Sequence, residues 1–211
     1  MRVLIISGGK PPEETTIRSY ITADTYIICA DSGANTLYKY KILPNILLGD
    51  FDSIDETVLK YYEASGCTIN RYKAEKNFTD TEAAAEEAMD LNPKEIFFFG
   101  STGTRLDHTL ANLGLLYRCY LKNIESYIID ENNKISIYGG NFTFKDIKGQ
   151  TFSLQAFGGM VKKLSIKGAK YKLVDYDLYF GDPRTVSNEC TDATVKITFC
   201  SGILILIKSN D

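Results

Sequence analysis

The chain has 211 residues, of which 44% are hydrophobic and 24% are charged. These fractions are those of an ordinary globular protein, so the composition excludes a disordered chain. The formal net charge is −3, and a slightly acidic chain lacks the broad basic face that nucleic acid binding needs. We therefore predict a folded protein with no nucleic acid partner, made of one large domain or two small ones.

The numbers of cysteines and histidines limit the kinds of metal site and the cellular compartment that we expect for this protein. The five cysteines are an odd number and include no C-x-x-C pair, so we expect reduced, structural thiols. The single histidine, His108, excludes a His-rich zinc site. The apolar run at residues 3–6 is too short for a signal peptide, and no run is long enough to cross a bilayer. These features predict a soluble, cytoplasmic protein with no membrane partner.

In the first part of the chain, up to about residue 122, short apolar runs alternate with patterns typical of helices. The runs lie at residues 3–6, 26–30, 46–48, 68–71 and 96–99. Near-continuous apolar strands of this length are typical of a parallel sheet that is covered on both faces. The alternation of strands and helices predicts a doubly wound, mainly parallel α/β sheet.

Three helix signals lie in this first part. Ser53-x-x-Glu56 and Thr79-x-x-Glu82 are capping-box patterns, and each predicts the start of a helix. Residues 105–122 are predicted to form a further helix, because apolar side chains recur there at helical spacing, at Leu106, Leu110, Leu113 and Tyr117. We expect this apolar stripe to pack on the sheet.

From about residue 124 the pattern changes to short β-prone runs separated by turns. The runs lie at residues 126–129, 134–138, 141–144, 151–156, 163–166, 193–199 and 203–207. Regularly spaced short strands without a helical period favour a β-sandwich or barrel. We predict an α/β domain at residues 1–123 and a C-terminal β-sandwich at residues 124–211.

Acidic side chains follow the strands of the predicted parallel sheet. The carboxylates concerned are Asp31, Asp50, Asp52, Asp80 and Asp107. Because ligands of a doubly wound sheet bind beyond the carboxyl ends of its strands, we expect these acids to meet at one rim of the sheet.

A cluster of carboxylates points to a divalent cation, since like charges held close together otherwise raise each other's pKa. Aspartate oxygens with no histidine or cysteine nearby favour Mg²⁺. Asp50 and Asp52 lie two residues apart, and on an extended segment their side chains share one face and can bracket a metal ion. Substrate phosphates and water would supply the remaining ligands.

Two glycine-rich loops supply the other half of a phosphate site. They lie between strand and helix, where free backbone N–H groups and a helix N-terminus can hold phosphate, and they comprise Gly8, Gly9, Gly100, Ser101, Thr102 and Gly103. Lys76 and Arg105 add positive charge, and arginine can bind phosphate through two N–H groups. Neither loop is a Walker A sequence or a G-x-G-x-x-G fingerprint.

Each of these features also has a structural explanation. Asp31, Asp50 and Asp80 are suitable helix N-caps or first-turn acids, a role worth about 1 kcal/mol each. Asp107 suits the first turn of a helix equally well, and His108 suits a structural hydrogen bond. Acids recur after consecutive strands, and helix capping alone does not require this recurrence. The pattern therefore favours one binding site that the acids share.

Taken together, the motifs resemble the ordered blocks of the thiamine pyrophosphokinase family. The blocks run from residue 31 to residue 189 in family order, as Asp31-Ser32-Gly33-Ala34-Asn35, Gly49-Asp50-Phe51-Asp52-Ser53, Thr79-Asp80, Arg105-Leu106-Asp107-His108 and Ser187-Asn188-Glu189. The resemblance implies an α/β nucleotide-binding domain followed by a β-sandwich, and Mg²⁺-dependent transfer of a pyrophosphoryl group from ATP to thiamine. It also implies a homodimer with the active site between subunits.

The resemblance further implies roles for individual residues. Asp50, Asp52 and Asp80 would be magnesium ligands and, with Asp107, the catalytic acids. The nucleotide and its phosphates would contact the glycine loops together with Asp31, Ser32, Lys76, Thr79 and Arg105. Thiamine would contact Arg105, Asp107, Ser187 and Asn188. Without the resemblance, the segment at 187–189 is better explained as a solvated turn.

Three positions depart from the family pattern, namely Asn77, Thr104 and Lys172, and none removes one of these carboxylates. Two other functions also fit parts of the sequence. Asp50-x-Asp52 after a strand resembles the nucleophile loop of haloacid-dehalogenase phosphatases, although Ile54 departs from that signature. A non-catalytic thiamine or nucleotide sensor is the second alternative, and the full set of acids argues against it.

Overall fold

The computed structural model describes residues 1–103 and 105–210, so Thr104, one of the three departures from the family pattern, lies outside the described residues. The chain forms two compact units, Met1–Glu131 and Asn132–Asp211. Within the described residues, no helix combines the length and the apolar composition needed to cross a bilayer.

The first unit contains a parallel sheet of six strands. The strands are β1 (Arg2–Ile6), β2 (Thr25–Ala30), β3 (Ile46–Gly49), β4 (Thr68–Arg71), β5 (Glu95–Phe99) and β6 (Glu125–Ile129). Their order across the sheet is β6-β5-β1-β2-β3-β4, and every neighbouring pair runs parallel. The chain therefore builds the sheet outward from β1 in one direction and then returns to its other side.

Helices cover both faces of this sheet. They are α1 (Glu14–Ser19), α2 (Gly33–Lys39), α3 (Glu56–Ala64), α4 (Asp80–Asp90) and α5 (Leu106–Leu121). Buried side chains of α1, α2 and α3 form one core cluster with alternate residues of the strands, whereas α4 contacts β1, β2 and β3 outside that cluster. Because β1 is buried on both faces, it reads as an unbroken apolar run. The predicted doubly wound α/β sheet is confirmed.

Helix α5 lies where the sequence predicts it, but a different face packs inward. Leu106 and Leu110, the start of the predicted stripe, are 68% and 57% exposed. The buried positions of the helix are instead Asn112, Leu115, Leu116 and Cys119. The prediction was wrong because α5 carries apolar residues on two faces, and periodicity alone does not tell which face meets the sheet.

The two predicted capping boxes have different outcomes. Thr79 is the N-cap of α4, and its side-chain oxygen accepts a hydrogen bond from the backbone N–H of Glu82 at 3.1 Å. The Ser53 capping box was wrong, because α3 begins at Glu56 with Asp55 as its N-cap. The hydroxyl of Ser53 instead donates to Asp52 Oδ1 at 2.7 Å.

Strand β6 also differs from its predicted setting. The run at 126–129 was grouped with the β-rich half of the chain, but β6 pairs parallel with β5, with Glu125 opposite Glu95. Its position follows from α5, which precedes it, because a crossover helix returns the chain to the same end of the sheet and produces a parallel pair.

The second unit consists of two antiparallel sheets. Its strands are β7 (Asn133–Tyr138), β8 (Phe142–Lys145), β9 (Thr151–Ala156), β10 (Val161–Lys167), β11 (Leu173–Leu178), β12 (Asn188–Glu189), β13 (Thr194–Thr198) and β14 (Leu204–Ser209). One sheet has the order β12-β9-β14-β7 and the other β11-β10-β13-β8. Buried side chains from both sheets form a single apolar cluster, so the predicted C-terminal β-sandwich is confirmed.

Gly168 provides a test of packing in the second unit. It has a φ of +80°, and a Cβ at this position would lie 2.4 Å from the carbonyl oxygen of Thr194. We expect Gly168→Ala to lower the free energy of unfolding by more than about 2 kcal/mol, because the clash adds to the cost of a left-handed backbone. Urea denaturation followed by circular dichroism measures the change.

The matched control is Gly181→Ala. Gly181 has the same φ of +80°, but a Cβ there meets no described atom within 4 Å. We expect this variant to lose only about 1–2 kcal/mol, the cost of a left-handed alanine. Equal losses in the two variants would contradict the packing argument.

Candidate active site

The strand order places two loops side by side at the carboxyl ends of β1 and β5. These strands are neighbours, yet the chain leaves β1 toward one side of the sheet and β5 toward the other, which opens a crevice between the loops. Within this switch point, the N–H of Ser7 donates to the carbonyl of Phe99 at 2.9 Å, and the N–H of Gly9 donates to the carbonyl of Gly100 at 2.7 Å.

Two glycines allow the loops to approach this closely. A Cβ on Gly100 would lie 2.2 Å from the carbonyl oxygen of Ser7, and Gly100 has a φ of +62°. A Cβ on Gly9 would lie 2.4 Å from the carbonyl oxygens of both Gly100 and Thr102. Any other residue at either position would push the loops apart and change the crevice.

The crevice forms a cavity of about 630 Å³, large enough for a small ligand. Twelve of the predicted site residues line it, namely Gly8, Gly9, Asp31, Ser32, Lys76, Thr79, Asp80, Gly100, Ser101, Thr102, Gly103 and Arg105. Asp50, Asp52 and Asp107 belong to the same unit but are not among the lining residues, and Ser187 and Asn188 belong to the second unit.

Sequence reasoning missed several residues that line the cavity. These are Ser7, Lys10, Ala30, Ser53, Phe78, Thr81, Thr109 and Asn112, and His108, which was assigned no site role, lines it as well. The short polar residues had no distinguishing pattern in the sequence. Asn112 had one available signal, because it is a polar residue within the apolar positions of an amphipathic helix.

Three carboxylates form a potential cation site beside the cavity. One oxygen from each of Asp31, Asp50 and Asp52 lies within 4.8 Å of the other two. Asp80, which was predicted to complete the set with Asp50 and Asp52, is not part of this group. Its Oδ1 instead accepts a hydrogen bond from Lys76 Nζ at 2.5 Å.

Asp50 and Asp52 approach each other through a turn. Phe51 between them has a φ of +66°, and its side chain is buried in the apolar core of the first unit. Asp50 Oδ1 accepts the backbone N–H of Asp52 at 3.3 Å. The expectation of an extended segment was therefore wrong, because the left-handed backbone of Phe51 turns the chain between the two acids.

The arrangement of acids disfavours ionisation of Asp31. Burial raises the pKa of its carboxyl group, and the nearby charges of Asp80, Asp50 and Asp52 raise it further against an opposing hydrogen bond from the Ser32 backbone. Its Oδ1 is buried and has no hydrogen-bond partner among the described residues. A buried carboxylate oxygen without a hydrogen-bond partner is available as a ligand. Together with the neighbouring carboxylates it forms a ligand set that suits a hard divalent cation.

Lys76 lies between two of the acids and offsets part of their charge. Its Nζ is 2.5 Å from Asp80 Oδ1 and 3.4 Å from Asp50 Oδ2. Partial burial opposes the charge on Lys76, but hydrogen bonds to Asp80 and Asp50 raise its pKa overall. Burial likewise opposes ionisation of Asp50, yet the Asp52 N–H and Lys76 hold the pKa of Asp50 below its usual value.

Arg105 and Asp107 form an exposed ion pair at the start of α5. Arg105 donates to Asp107 Oδ2 at 2.6 Å and to Oδ1 at 3.2 Å. The hydrogen bond from Arg105 lowers the pKa of Asp107 to about 2. Asp107 is therefore ionised at neutral pH and is a weak base for as long as the pair is intact.

Ser187 and Asn188, the predicted thiamine contacts, have different environments in the second unit. Asn188 is buried, its Oδ1 accepts from the N–H groups of Tyr171 and Glu189, and its Nδ2 donates to the carbonyl of Tyr171 at 2.8 Å. Ser187 is exposed and has a φ of +55°. The amide of Asn188 thus holds the local backbone, while the Ser187 side chain faces solvent.

Comparison with known proteins matches both units. A family model described as the thiamin pyrophosphokinase catalytic domain matches residues 17–128, and one described as the thiamin pyrophosphokinase vitamin B1 binding domain matches residues 131–204. The chain belongs to the thiamin pyrophosphokinase family.

Relatives match the chain over almost its full length. The thiamine pyrophosphokinase of Bacillus subtilis is 34% identical over 98% of each chain. The crystal structure of thiamine pyrophosphokinase from B. subtilis matches with a TM-score of 0.91 at 32% identity, covering all of both chains. The thiamin pyrophosphokinase structure from Geobacillus thermodenitrificans matches with a TM-score of 0.88 at 29% identity, covering 100% of this chain and 98% of the other.

Replacement of Asp31 tests whether its ionised carboxylate destabilises the folded protein. Because the pKa of Asp31 is raised in the folded state, its ionised form weakens folding at neutral pH, and the penalty is relieved as the pH falls through the raised pKa. We expect Asp31→Asn to raise the thermal midpoint at pH 7.5 by about 2–4 °C, the shift that about 1 kcal/mol produces in a chain of this size. Asparagine also tolerates the positive φ of this residue.

Asp55→Asn is the matched control, since Asp55 is exposed, lies outside the acidic group and remains a suitable N-cap as asparagine. We expect no change in its midpoint, and we expect the gain of Asp31→Asn to disappear near pH 3. Differential scanning calorimetry measures both. A midpoint for Asp31→Asn at or below that of the wild type at pH 7.5 would show that Asp31 is not strained.

Proposed function

We propose that this protein transfers a pyrophosphoryl group from ATP to the hydroxyl group of thiamine, with thiamine diphosphate and AMP as products. The observation that carries the proposal is the group of Asp31, Asp50 and Asp52 beside two glycine loops at a sheet switch point. Membership of the family and the match of both units support the same reaction.

The lining of this cavity suits the polyphosphate group of ATP. Three cationic side chains line it, those of Lys10, Lys76 and Arg105. The loop at 100–103 supplies backbone groups against which phosphate oxygens can be held. The hydroxyl of Thr79 caps α4. We therefore propose that Thr79 contributes to phosphate binding indirectly, by orienting the N-terminus of that helix toward the cavity.

The acidic group suits Mg²⁺, which Asp31, Asp50 and Asp52 would hold. When bound, the ion would neutralise charge on the phosphate oxygens. Asp80 was a predicted ligand, and it forms an ion pair with Lys76 beside the group of three acids. We therefore propose that Lys76 and Asp80 set the position of Asp50, since Lys76 contacts both acids.

The reaction requires in-line attack and one proton transfer. The thiamine oxygen forms a bond to the β-phosphorus of ATP, the bond from that phosphorus to the α,β-bridging oxygen breaks, and AMP leaves with that oxygen. The hydroxyl proton passes to a base. Asp107 can take this role once Arg105 turns from it to phosphate, since the loss of this partner restores the basicity of the carboxylate. Positioning and charge neutralisation carry most of the catalysis in such transfers.

Thiamine binding is assigned to the second unit. We propose that Ser187 contacts thiamine with its exposed hydroxyl and that Asn188 shapes the same segment from beneath. We also propose that the protein is a homodimer, which is supported by the exposed apolar side chains of Leu106 and Leu110 on α5. Five free cysteines support a reducing, cytoplasmic location.

Product analysis tests the proposed reaction. With ATP, Mg²⁺ and thiamine, we expect AMP and thiamine diphosphate in a one-to-one ratio, measured by chromatography and ³¹P nuclear magnetic resonance. ADP with thiamine monophosphate would contradict pyrophosphoryl transfer. Release of inorganic phosphate would favour the phosphatase alternative, and binding without turnover would favour a sensor.

Asp52→Asn tests the acidic group in the same assay. We expect a loss of about a hundredfold or more in kcat/KM, because one charge that balances the cation is removed. Asp90→Asn is the matched control, since Asp90 is an exposed acid at the end of α4, away from the cavity, and should leave kcat/KM unchanged. Near-wild-type turnover by Asp52→Asn would remove Asp52 from the site.

A further inference from the structure

Carbonyl groups of the loop at 100–103 are held by donors outside the loop. The N–H of Gly9 donates to the carbonyl of Gly100 at 2.7 Å. The N–H of Lys10 donates to the carbonyl of Thr102 at 2.9 Å. These two contacts join the loop after β5 to the loop after β1, and they use backbone groups alone.

The carbonyl between them is held by a side chain. Asn112 Nδ2 donates to the carbonyl of Ser101 at 2.7 Å. Asn112 is 5% exposed and lies on the inward face of α5 with Leu115 and Leu116. A buried amide on an apolar face weakens folding unless it is hydrogen-bonded, so this contact accounts for a polar residue at a core position.

Holding a carbonyl also orients the next N–H group, because both belong to one rigid peptide plane and point in opposite directions. The Asn112 contact therefore sets the direction of the Thr102 N–H, as the Gly9 contact sets that of the Ser101 N–H. Among the described residues, neither N–H donates a hydrogen bond to a backbone carbonyl. Both residues line the cavity, where such groups can bind anionic oxygen.

Buried hydroxyls support the loop from below. Thr81, in the first turn of α4, donates to Ser7 Oγ at 3.0 Å, and Ser101 Oγ lies 3.4 Å from the same atom. All three side chains are at most 9% exposed. The end of β1, the loop after β5, α4 and α5 are thus connected through polar contacts directly beneath the cavity.

We propose that Asn112 is a positioning residue that orients the loop at 100–103 to receive the polyphosphate oxygens of the nucleotide. The proposal rests on the proposed function, in which ATP occupies this cavity. Asn112 acts through the Ser101 carbonyl and the peptide plane that follows it. Its effect should therefore fall on the affinity for polyphosphate and leave thiamine binding unaltered.

Asn112→Leu removes the donor and keeps a buried side chain of similar size. We expect the KM for ATP to rise about tenfold while the KM for thiamine stays within about twofold. Inorganic tripolyphosphate with Mg²⁺, measured by isothermal titration calorimetry, should lose affinity by the same factor. A second variant, Asn112→Asp, faces the Ser101 carbonyl with acceptors only and should raise the KM for ATP at least as much.

Leu116→Ala is the control for a general loss of stability. Leu116 is fully buried on the same helix, so its truncation weakens α5 without removing the contact to Ser101. We expect a lower thermal midpoint and an unchanged KM for ATP at a temperature where the variant is folded. If Leu116→Ala raised the KM for ATP by the same factor, the effect of the Asn112 variants would be explained by a loss of stability, and Asn112 would not be a positioning residue.

The outcomes separate this inference from the proposed function. If the wild-type protein binds neither ATP nor tripolyphosphate, the nucleotide assignment of the cavity is wrong. If the wild type binds both and Asn112→Leu and Asn112→Asp bind them equally well, the positioning role alone is overturned.

Discussion

The close contact between the loops after β1 and β5 is the constraint on which the rest of the site depends. Adjacent parallel strands bring the loops together, and the opposite directions taken by the chain beyond them leave a crevice. Only glycine at positions 9 and 100 allows the backbones to approach within hydrogen-bond distance. The carbonyl groups of Gly100 and Thr102 then accept hydrogen bonds from the loop after β1. The N–H groups of Ser101 and Thr102 remain available at the cavity surface.

The acidic group shows how stability and function oppose each other at this rim. Asp31 has a buried oxygen with no hydrogen-bond partner among the described residues and lies near Asp50 and Asp52, an arrangement that disfavours the charged form. Lys76 forms ion pairs with Asp50 and Asp80 and offsets their charge, whereas no ion pair with Asp31 is found among the described residues. The uncompensated charge weakens the folded protein, and the same charge is what a divalent cation with a phosphate ligand would neutralise.

Much of the fold could be predicted because the signals are local. The apolar runs of β1 to β5 and the Thr79 cap follow from short-range pattern and hydrogen-bond chemistry. The errors arose where a local pattern permits two outcomes. Leu106 and Leu110 have the spacing of a buried stripe but remain exposed, and the segment around Phe51 is a turn, because packing of neighbouring elements decided both.

By itself, the sequence determined the order of elements, the doubly wound and sandwich architectures, and the types of side chain at the site. Only the tertiary structure showed that Asp31 lies in one group with Asp50 and Asp52, and that Asp80 is held by Lys76 beside them. It also revealed Asn112, whose donor meets the Ser101 carbonyl from another element. The physical reason is that distances between residues far apart in the chain are set by packing of strands and helices, which no local pattern encodes.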